Sequence, residues 1–143
     1  MTRLTEFYMG LFDFFKRKKV KKESIKEEFN KEEVLKQIWD KWIKNQTQSP
    51  LTELLTIVSN LGACGHADFF EFCNENENIA NALEVAFPLL PEVIKNNFLN
   101  ARELYEQSPE MRDDEEFLER YDNVFYDNEG LIDEVILSLY FKE

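Results

Sequence analysis

Residues 49–74 read SPLTELLTIVSNLGACGHADFFEFCN, and this stretch is the most informative about the fold. Its first half places leucine and valine at steps of three and four, the spacing of an apolar helix face. The members of this face are Leu51, Leu54, Leu55, Val58 and Leu61. Ser49 and Pro50 stand just before it, as a cap residue and a first-turn proline do. The pattern predicts a helix that starts here and packs one face against a core.

Gly62 and Gly65 are predicted to bracket a turn after this helix, ahead of the aromatic patch Phe69–Phe72. The turn would hold Cys64 and His66, with Cys73 seven residues beyond the histidine. Such residues bind zinc in some proteins, and Asp68 or a neighbouring carboxylate would be the fourth ligand. The spacing matches no common zinc pattern, because structural sites normally use two separated ligand pairs. We therefore predict no metal ion and no cofactor, and interpret these residues as two buried thiols and a histidine in a turn.

The same three-and-four spacing recurs through the rest of the chain. Further apolar faces are predicted at residues 34–43, 79–90, 94–105, 117–125 and 131–140. Asn30 with Glu33 is interpreted as the cap of the first of these helices, and Ser108-Pro109 as another start signal. No segment alternates with the period of two that marks a strand. The sequence therefore predicts an all-α fold, a single compact domain of about six or seven helices at residues 23–143.

Residues 1–22 are predicted to form a basic amphipathic N-terminal tail. Its apolar stripe at residues 4–15 is followed by six cations within residues 16–22. Three interpretations stay open. Residues 4–22 lie on an anionic membrane surface, with the apolar side chains inserted; they bind nucleic acid, which the acidic body would oppose; or they fold back on that body through charge attraction.

The charge of the chain is unevenly distributed. The whole chain of 143 residues carries −12, but residues 1–50 hold 12 Lys/Arg and 8 Asp/Glu, a net +4. Residues 51–143 hold 5 Lys/Arg and 21 Asp/Glu, a net −16. Aromatic residues make up 14% of the chain, which is unlike a disordered acidic protein. A folded body this acidic favours a basic protein as partner and predicts no direct binding of nucleic acid.

Carboxylates are densest at residues 103–119, where eight acids and one arginine give a net −7 over 17 residues. A continuous helix of this length would measure about 25 Å, so its charge density would approach that of one DNA strand. Pro109 is expected to bend its path. The alternative is that these acids only keep the protein soluble. The predicted partner-binding residues are Glu103, Glu106, Glu110, Asp113, Asp114, Glu115, Glu116 and Glu119.

Catalysis has little support in the sequence. His66 is the only histidine, and the chain has neither a glycine-rich phosphate loop nor a nucleophile elbow. We therefore predict a non-enzymatic protein. Two cysteines make no disulfide framework, no secretory signal precedes the first apolar stretch, and no run is long enough to span a bilayer. These features predict a cytoplasmic protein.

Two stretches of the chain resemble a family of small helical bacterial domains of unknown function that includes an acidic DNA-mimic protein. They are Gly65–Asn74, with its Phe-Phe pair, and Tyr121–Glu129, with its acidic-aromatic Phe-Tyr element. Ala63-Cys64-Gly65 stands where the family often has Asn-Gly-Gly. The resemblance implies an all-α fold, a homodimer and DNA mimicry directed at a DNA-binding regulator. It also implies that Phe70, Phe125 and Tyr126 hold the fold together.

The expected function is that of an acidic protein-binding module that occludes the basic surface of a DNA-binding protein. Two alternatives stay open. One is a membrane-surface adaptor tethered through residues 4–22, and the other is an immunity-type inhibitor of a basic toxin, which would have a similar charge distribution.

Overall fold

A computed structural model describes the backbone of residues 26–142 and the side chains of residues 30–142. The tail predicted at residues 1–22 lies outside the described residues. Residues 26–142 form six α-helices and no strand, which confirms the all-α prediction. The helices are α1 (Lys26–Ile43), α2 (Leu51–Glu75), α3 (Glu77–Ala86), α4 (Glu92–Gln107), α5 (Glu119–Asp127) and α6 (Glu129–Lys142). Short 3₁₀ turns at Phe87–Leu89 and Pro109–Met111 precede and follow α4.

Helix α2 is the centre of the fold, because it contacts each of the other five helices. Its predicted apolar face is buried, with Leu51, Leu54 and Leu55 fully inaccessible to solvent. Burial of each such side chain stabilises the folded state by about 1.5–3 kcal/mol. The face meets Ile94 and Phe98 of α4 and apolar residues of α5 and α6 in one hydrophobic core. Helix α2, which contains nearly all of residues 49–74, is therefore the helix around which the domain is built.

Asn45 ends helix α1, and Asn76 starts helix α3. After α1, Asn45 takes a left-handed conformation (φ 57°), which lets the Gln46 N–H donate to the Lys41 carbonyl at 2.8 Å. This is the Schellman ending, and it satisfies carbonyls that the helix leaves free. Asn76 caps α3 by accepting a hydrogen bond from the Ile79 N–H at 3.2 Å. The polar stretch after residue 44 thus ends α1.

Two predicted start signals are wrong in position. Helix α1 begins at Lys26, so Asn30 and Glu33 lie inside it; the preceding Lys-Glu-Glu segment has good helix propensity and extends the helix backwards. Ser108-Pro109 starts only a 3₁₀ turn, and the chain then runs through further turns to α5. A straight helix across residues 103–119 does not form.

The start of α2 is shifted by one residue from the prediction. Pro50 occupies the N-cap position, and Ser49 donates a hydrogen bond to Glu53 at 2.6 Å instead of capping the backbone. None of the described helices combines the length and the apolar character needed to cross a bilayer.

Candidate functional site

Gly65 bends α2 in the middle of the domain. Its φ of 78° and ψ of 169° lie in a region that residues with a Cβ essentially do not adopt. The turn predicted between Gly62 and Gly65 is wrong, because Gly62 is helical and only Gly65 departs from the helix. Side chains on both sides of the bend are buried, so the helical segments before and after Gly65 both pack into the core.

The bend separates a backbone pair that an unbroken helix would join. In a regular helix the N–H of His66 would donate to the carbonyl of Gly62. Here that N–H donates to Asp122 Oδ1 at 2.7 Å, and the Gly62 carbonyl accepts from the Tyr126 hydroxyl at 2.8 Å. Asp122 and Tyr126 are one turn apart on α5. Two side chains of α5 therefore replace the helical hydrogen bond that Gly65 removes.

The His66 ring completes this cluster. It is fully buried, and its Nδ1 lies 2.6 Å from Asp122 Oδ1. Because a carboxylate oxygen only accepts, Nδ1 carries the proton in this bond. The ring centroids of Phe70 and Phe98 lie 6.0 Å away, and Nε2 has no hydrogen-bond partner among the described residues. An enclosed ring of this kind holds the fold together and offers no access to a substrate.

The cluster also joins the two stretches on which the family resemblance rests, because His66 belongs to the first and Asp122 to the second. Phe70 and Phe125 are buried at 4% and 1% exposure, as expected of residues that hold the fold together. Tyr126 differs, since it is 39% exposed and contributes through its hydroxyl. Helix α5 gains a third polar attachment from Asn97, whose Nδ2 donates to the Tyr121 carbonyl at 2.8 Å.

Cys64 and Cys73 do not join His66 in a metal site. Among the side chains of residues 30–142, no group of three or more His, Cys, Asp or Glu has an arrangement that would hold a metal ion. Both cysteines are half-buried rather than fully buried, and neither forms a disulfide. Burial raises the pKa of the Cys73 thiol to about 11, and the nearby Arg102 lowers it in part. Such a thiol stays protonated at neutral pH and is a poor nucleophile.

All eight predicted partner-binding acids lie on the surface. Glu103 and Glu106 are in α4, Glu110 is in the 3₁₀ turn, and Glu119 begins α5. The other four lie in the turns between: Asp113, Asp114, Glu115 and Glu116. We call these eight residues the acidic segment. Every member is exposed, but the segment follows a bent path and not a straight rod.

The two arginines next to the acidic segment, Arg112 and Arg120, do not neutralise it. Arg112 donates from Nε and Nη2 to the Tyr105 carbonyl at 3.2 and 2.9 Å, and stacks 3.9 Å from the Tyr105 ring centroid. Arg120 donates to the Tyr121 hydroxyl at 2.6 Å. No described residue forms an ion pair with any of the eight carboxylates. Their negative charge therefore faces solvent.

A groove of about 500 Å³ opens beside the acidic segment, between the end of α4 and the start of α5. Leu104, Met111 and Phe117 contribute apolar surface to it, and Asp114, Glu116 and Glu119 contribute carboxylates. We call it the α4–α5 groove. Leu118 also lines it and has an uncommon left-handed backbone (φ 67°) with a buried side chain. Bulky residues with positive φ are rare, so burial of the side chain must hold this conformation.

Sequence reasoning identified the acidic segment but neither the groove nor the roles of Asp122 and Tyr126. The alternation of acids with Met111, Phe117 and Leu118 was the available signal for the groove. Nothing local marks Asp122 as the partner of a histidine 56 positions earlier. Comparison of this chain with known protein families, with curated proteins and with solved structures finds no match.

Proposed function

We propose that this protein is a non-enzymatic acidic module that binds the basic surface of another protein through its acidic segment. The observation that carries the proposal is the state of the eight carboxylates. All are exposed and none is paired with a cation among the described residues, while the neighbouring arginines bond to tyrosine groups. The segment therefore presents an open negative surface to a partner.

The α4–α5 groove adds apolar surface to this charge. A volume of about 500 Å³ falls within the 300–1,000 Å³ range of ligand-binding clefts. Met111 is 42% exposed at this place. A partner that places an apolar side chain in the groove and lysine or arginine around it would complement both features. Complementary charge also steers encounter and raises the rate of association.

The more specific form of the proposal is that the partner is a DNA-binding regulator, whose DNA-binding surface the acidic segment occupies. The family resemblance supports this form. The bent path of the segment means that the match to DNA rests on charge density and not on a straight row of phosphates. An inhibitor of a basic toxin would present the same kind of surface, so the experiment must separate the two.

The experiment uses immobilised full-length protein to capture partners from an extract of the source organism. The test variant neutralises four carboxylates of the segment that make no described hydrogen bond: Glu106→Gln, Glu110→Gln, Asp113→Asn and Glu115→Gln. The matched control neutralises four exposed carboxylates elsewhere: Asp68→Asn, Glu71→Gln, Glu75→Gln and Glu84→Gln. Both variants lose the same charge, so only position differs.

We expect wild type and control to capture the same basic protein at low salt, and the test variant to lose it. Binding should weaken steeply between 0.05 and 0.5 M salt, because exposed charges are screened. Displacement of the partner by duplex DNA would favour mimicry, and failure to displace it would favour the toxin-inhibitor form. Equal capture by the two variants would show that the acidic segment is not the binding surface.

A further inference from the structure

We propose that the N-terminal residues 4–22 of the same chain dock in the α4–α5 groove and cover the acidic segment. The inference rests on the proposed function, because it assigns a regulator to the same surface. The groove joins the apolar side chains of Leu104, Met111 and Phe117 to three carboxylates that form no ion pair with a described residue. The occupant must therefore carry apolar and cationic groups side by side.

Residues 4–22 have that chemistry. Their apolar members recur at helical spacing and end at Phe15, and six cations follow at once between Lys16 and Lys22. Of the 17 Lys/Arg in the chain, six lie within these seven positions, and the other eleven are spread over the rest of the chain. Within this chain the complement to the acidic segment is thus concentrated in one short segment. Attraction between opposite charges acts over a Debye length of about 8–10 Å at physiological salt.

The attachment point of this segment lies within reach of the groove. Lys31 of α1 pairs with Glu134 of α6, and further along Lys41 donates to the Tyr140 hydroxyl at 2.8 Å. These two contacts show that α1 and α6 run in the same direction. The first residue of α1, Lys26, consequently lies towards the start of α6, which follows directly after α5.

Helix α5 leads from this point to the groove. Its nine residues span about 13 Å, and packed helix axes lie about 8–10 Å apart. The ten residue steps from Lys16 to Lys26 span at most about 35 Å when the chain is extended. The cationic run can therefore contact Glu119 and Asp114 without any change in the described domain. A segment joined to its own site has an effective concentration on the order of millimolar, which favours this contact over a second copy.

The methionines provide a direct probe. The chain has three, and Met111 lines the groove while Met1 and Met9 are N-terminal. We would record ¹³C-methyl methionine spectra of the full-length protein. The test variant reverses four tail charges at Lys18, Lys19, Lys21 and Lys22 by substitution with Glu. The matched control substitutes the same four lysines with Arg, which keeps the charge.

We expect the Met111 methyl resonance to shift in the Glu variant, and to shift the same way in wild type at 0.5 M salt. The Arg variant should keep the wild-type position. Carbodiimide treatment joins ammonium and carboxylate groups that are in contact. In the wild-type monomer it should link tail lysines to Asp114, Glu116 or Glu119, as read by peptide mass spectrometry.

Three results would overturn the proposal. One is a Met111 methyl resonance whose chemical shift is the same in wild type and in both tail variants. A second is cross-links confined to other carboxylates. The third is a Met111 shift that appears only as concentration rises, with cross-links in a dimer band, which would assign the groove to the tail of a second copy. Binding of the tail to phosphatidylserine vesicles, with an unresponsive Met111, would assign it to the membrane instead.

The capture experiment distinguishes this inference from the proposed function. If the tail covers the groove nine-tenths of the time, release of the tail in the Glu variant should raise the apparent affinity for the basic partner about tenfold. Tail docking without any basic partner would leave the inference standing and end the proposed function. Capture of a partner with equal affinity by wild type and the Glu variant would support the proposed function and end the inference that the tail covers the groove.

Discussion

Asp122 Oδ1 accepts two hydrogen bonds from His66, at 2.7 Å from the backbone nitrogen and at 2.6 Å from Nδ1. A single carboxylate oxygen thus fixes both the backbone and the side chain of the residue that follows the Gly65 bend. Asp122 is 18% exposed at its side chain, whereas the histidine is buried. The contact joins the central helix to α5, which has only one fully buried side chain of its own, Phe125.

Loss of this carboxylate should destabilise the domain strongly. We expect Asp122→Ala to lower the free energy of unfolding by about 2–4 kcal/mol, because it leaves two buried donors of His66 unpaired. Asp127→Ala, on the same helix but exposed, should change it by less than about 0.5 kcal/mol. Urea denaturation followed by circular dichroism measures both.

Tyr126→Phe extends this test to a double-mutant cycle. The variant removes only the hydroxyl that bonds the Gly62 carbonyl, at an expected cost of about 1–2 kcal/mol. Since both side chains repair the same bend, the two losses should not add. Strict additivity of the Asp122 and Tyr126 variants would contradict the shared role.

Substitution of Gly65 and of Gly130 by alanine should change stability in opposite directions, because the two glycines differ in backbone conformation. Gly65→Ala should destabilise by about 1–3 kcal/mol, because its φ of 78° and ψ of 169° are unfavourable for any residue with a Cβ. Gly130→Ala should stabilise by about 0.5 kcal/mol, since it lies in α6 and an added methyl would meet no atom within 4 Å. Thermal unfolding of the two variants measures this difference, and a stable Gly65→Ala variant would refute the bend.

Cys73 should react slowly with alkylating agents. Burial raises the pKa of its thiol from 9.0 to about 11, so at pH 8 the thiolate fraction is about a hundredfold below that of an ordinary cysteine. Iodoacetamide labelling followed by peptide mass spectrometry should show this in the folded protein and lose it in urea. Arg102→Met should slow the reaction further, because Arg102 lowers this pKa, whereas Arg120→Met should not. Equal rates in folded and unfolded protein would contradict the burial.

Glu129 should make the folded state less stable as pH rises. Burial raises the pKa of Glu129 above 4.5, so the folded state holds this proton more tightly than the unfolded chain does. Its contribution to stability is therefore greatest below the unfolded pKa and is lost as pH rises through the folded pKa.

We expect Glu129→Gln to raise the unfolding temperature at pH 7 and to give no gain below about pH 4, where the unfolded carboxyl is also protonated. The exposed Glu84→Gln serves as control. A lower unfolding temperature for Glu129→Gln at pH 7 would mean that attraction between the carboxylate and the start of α6 outweighs the cost of burial.

Local sequence determined the helices and the end of α1. Apolar residues at steps of three and four define one face of a helix wherever they stand, so the leucine face of Leu51–Leu61 predicted its own burial. Asn45 ends α1 because asparagine tolerates the left-handed conformation. Composition likewise predicted that the carboxylates of residues 103–119 would lie on the surface, since unpaired carboxylates are costly to bury.

The tertiary structure alone decided how the two halves of α2 are joined. Gly62 and Gly65 looked like the borders of a turn, because glycine lowers the cost of leaving a helix. Residues on both sides of Gly65 are buried in the core, and α5 supplies hydrogen bonds to the two backbone groups that the bend leaves without a helical partner. Asp122 lies 56 positions from His66, whereas helical spacing in a sequence indicates only contacts between residues three or four positions apart. The α4–α5 groove has the same origin, because its walls are brought together only when α4 and α5 pack against the central helix.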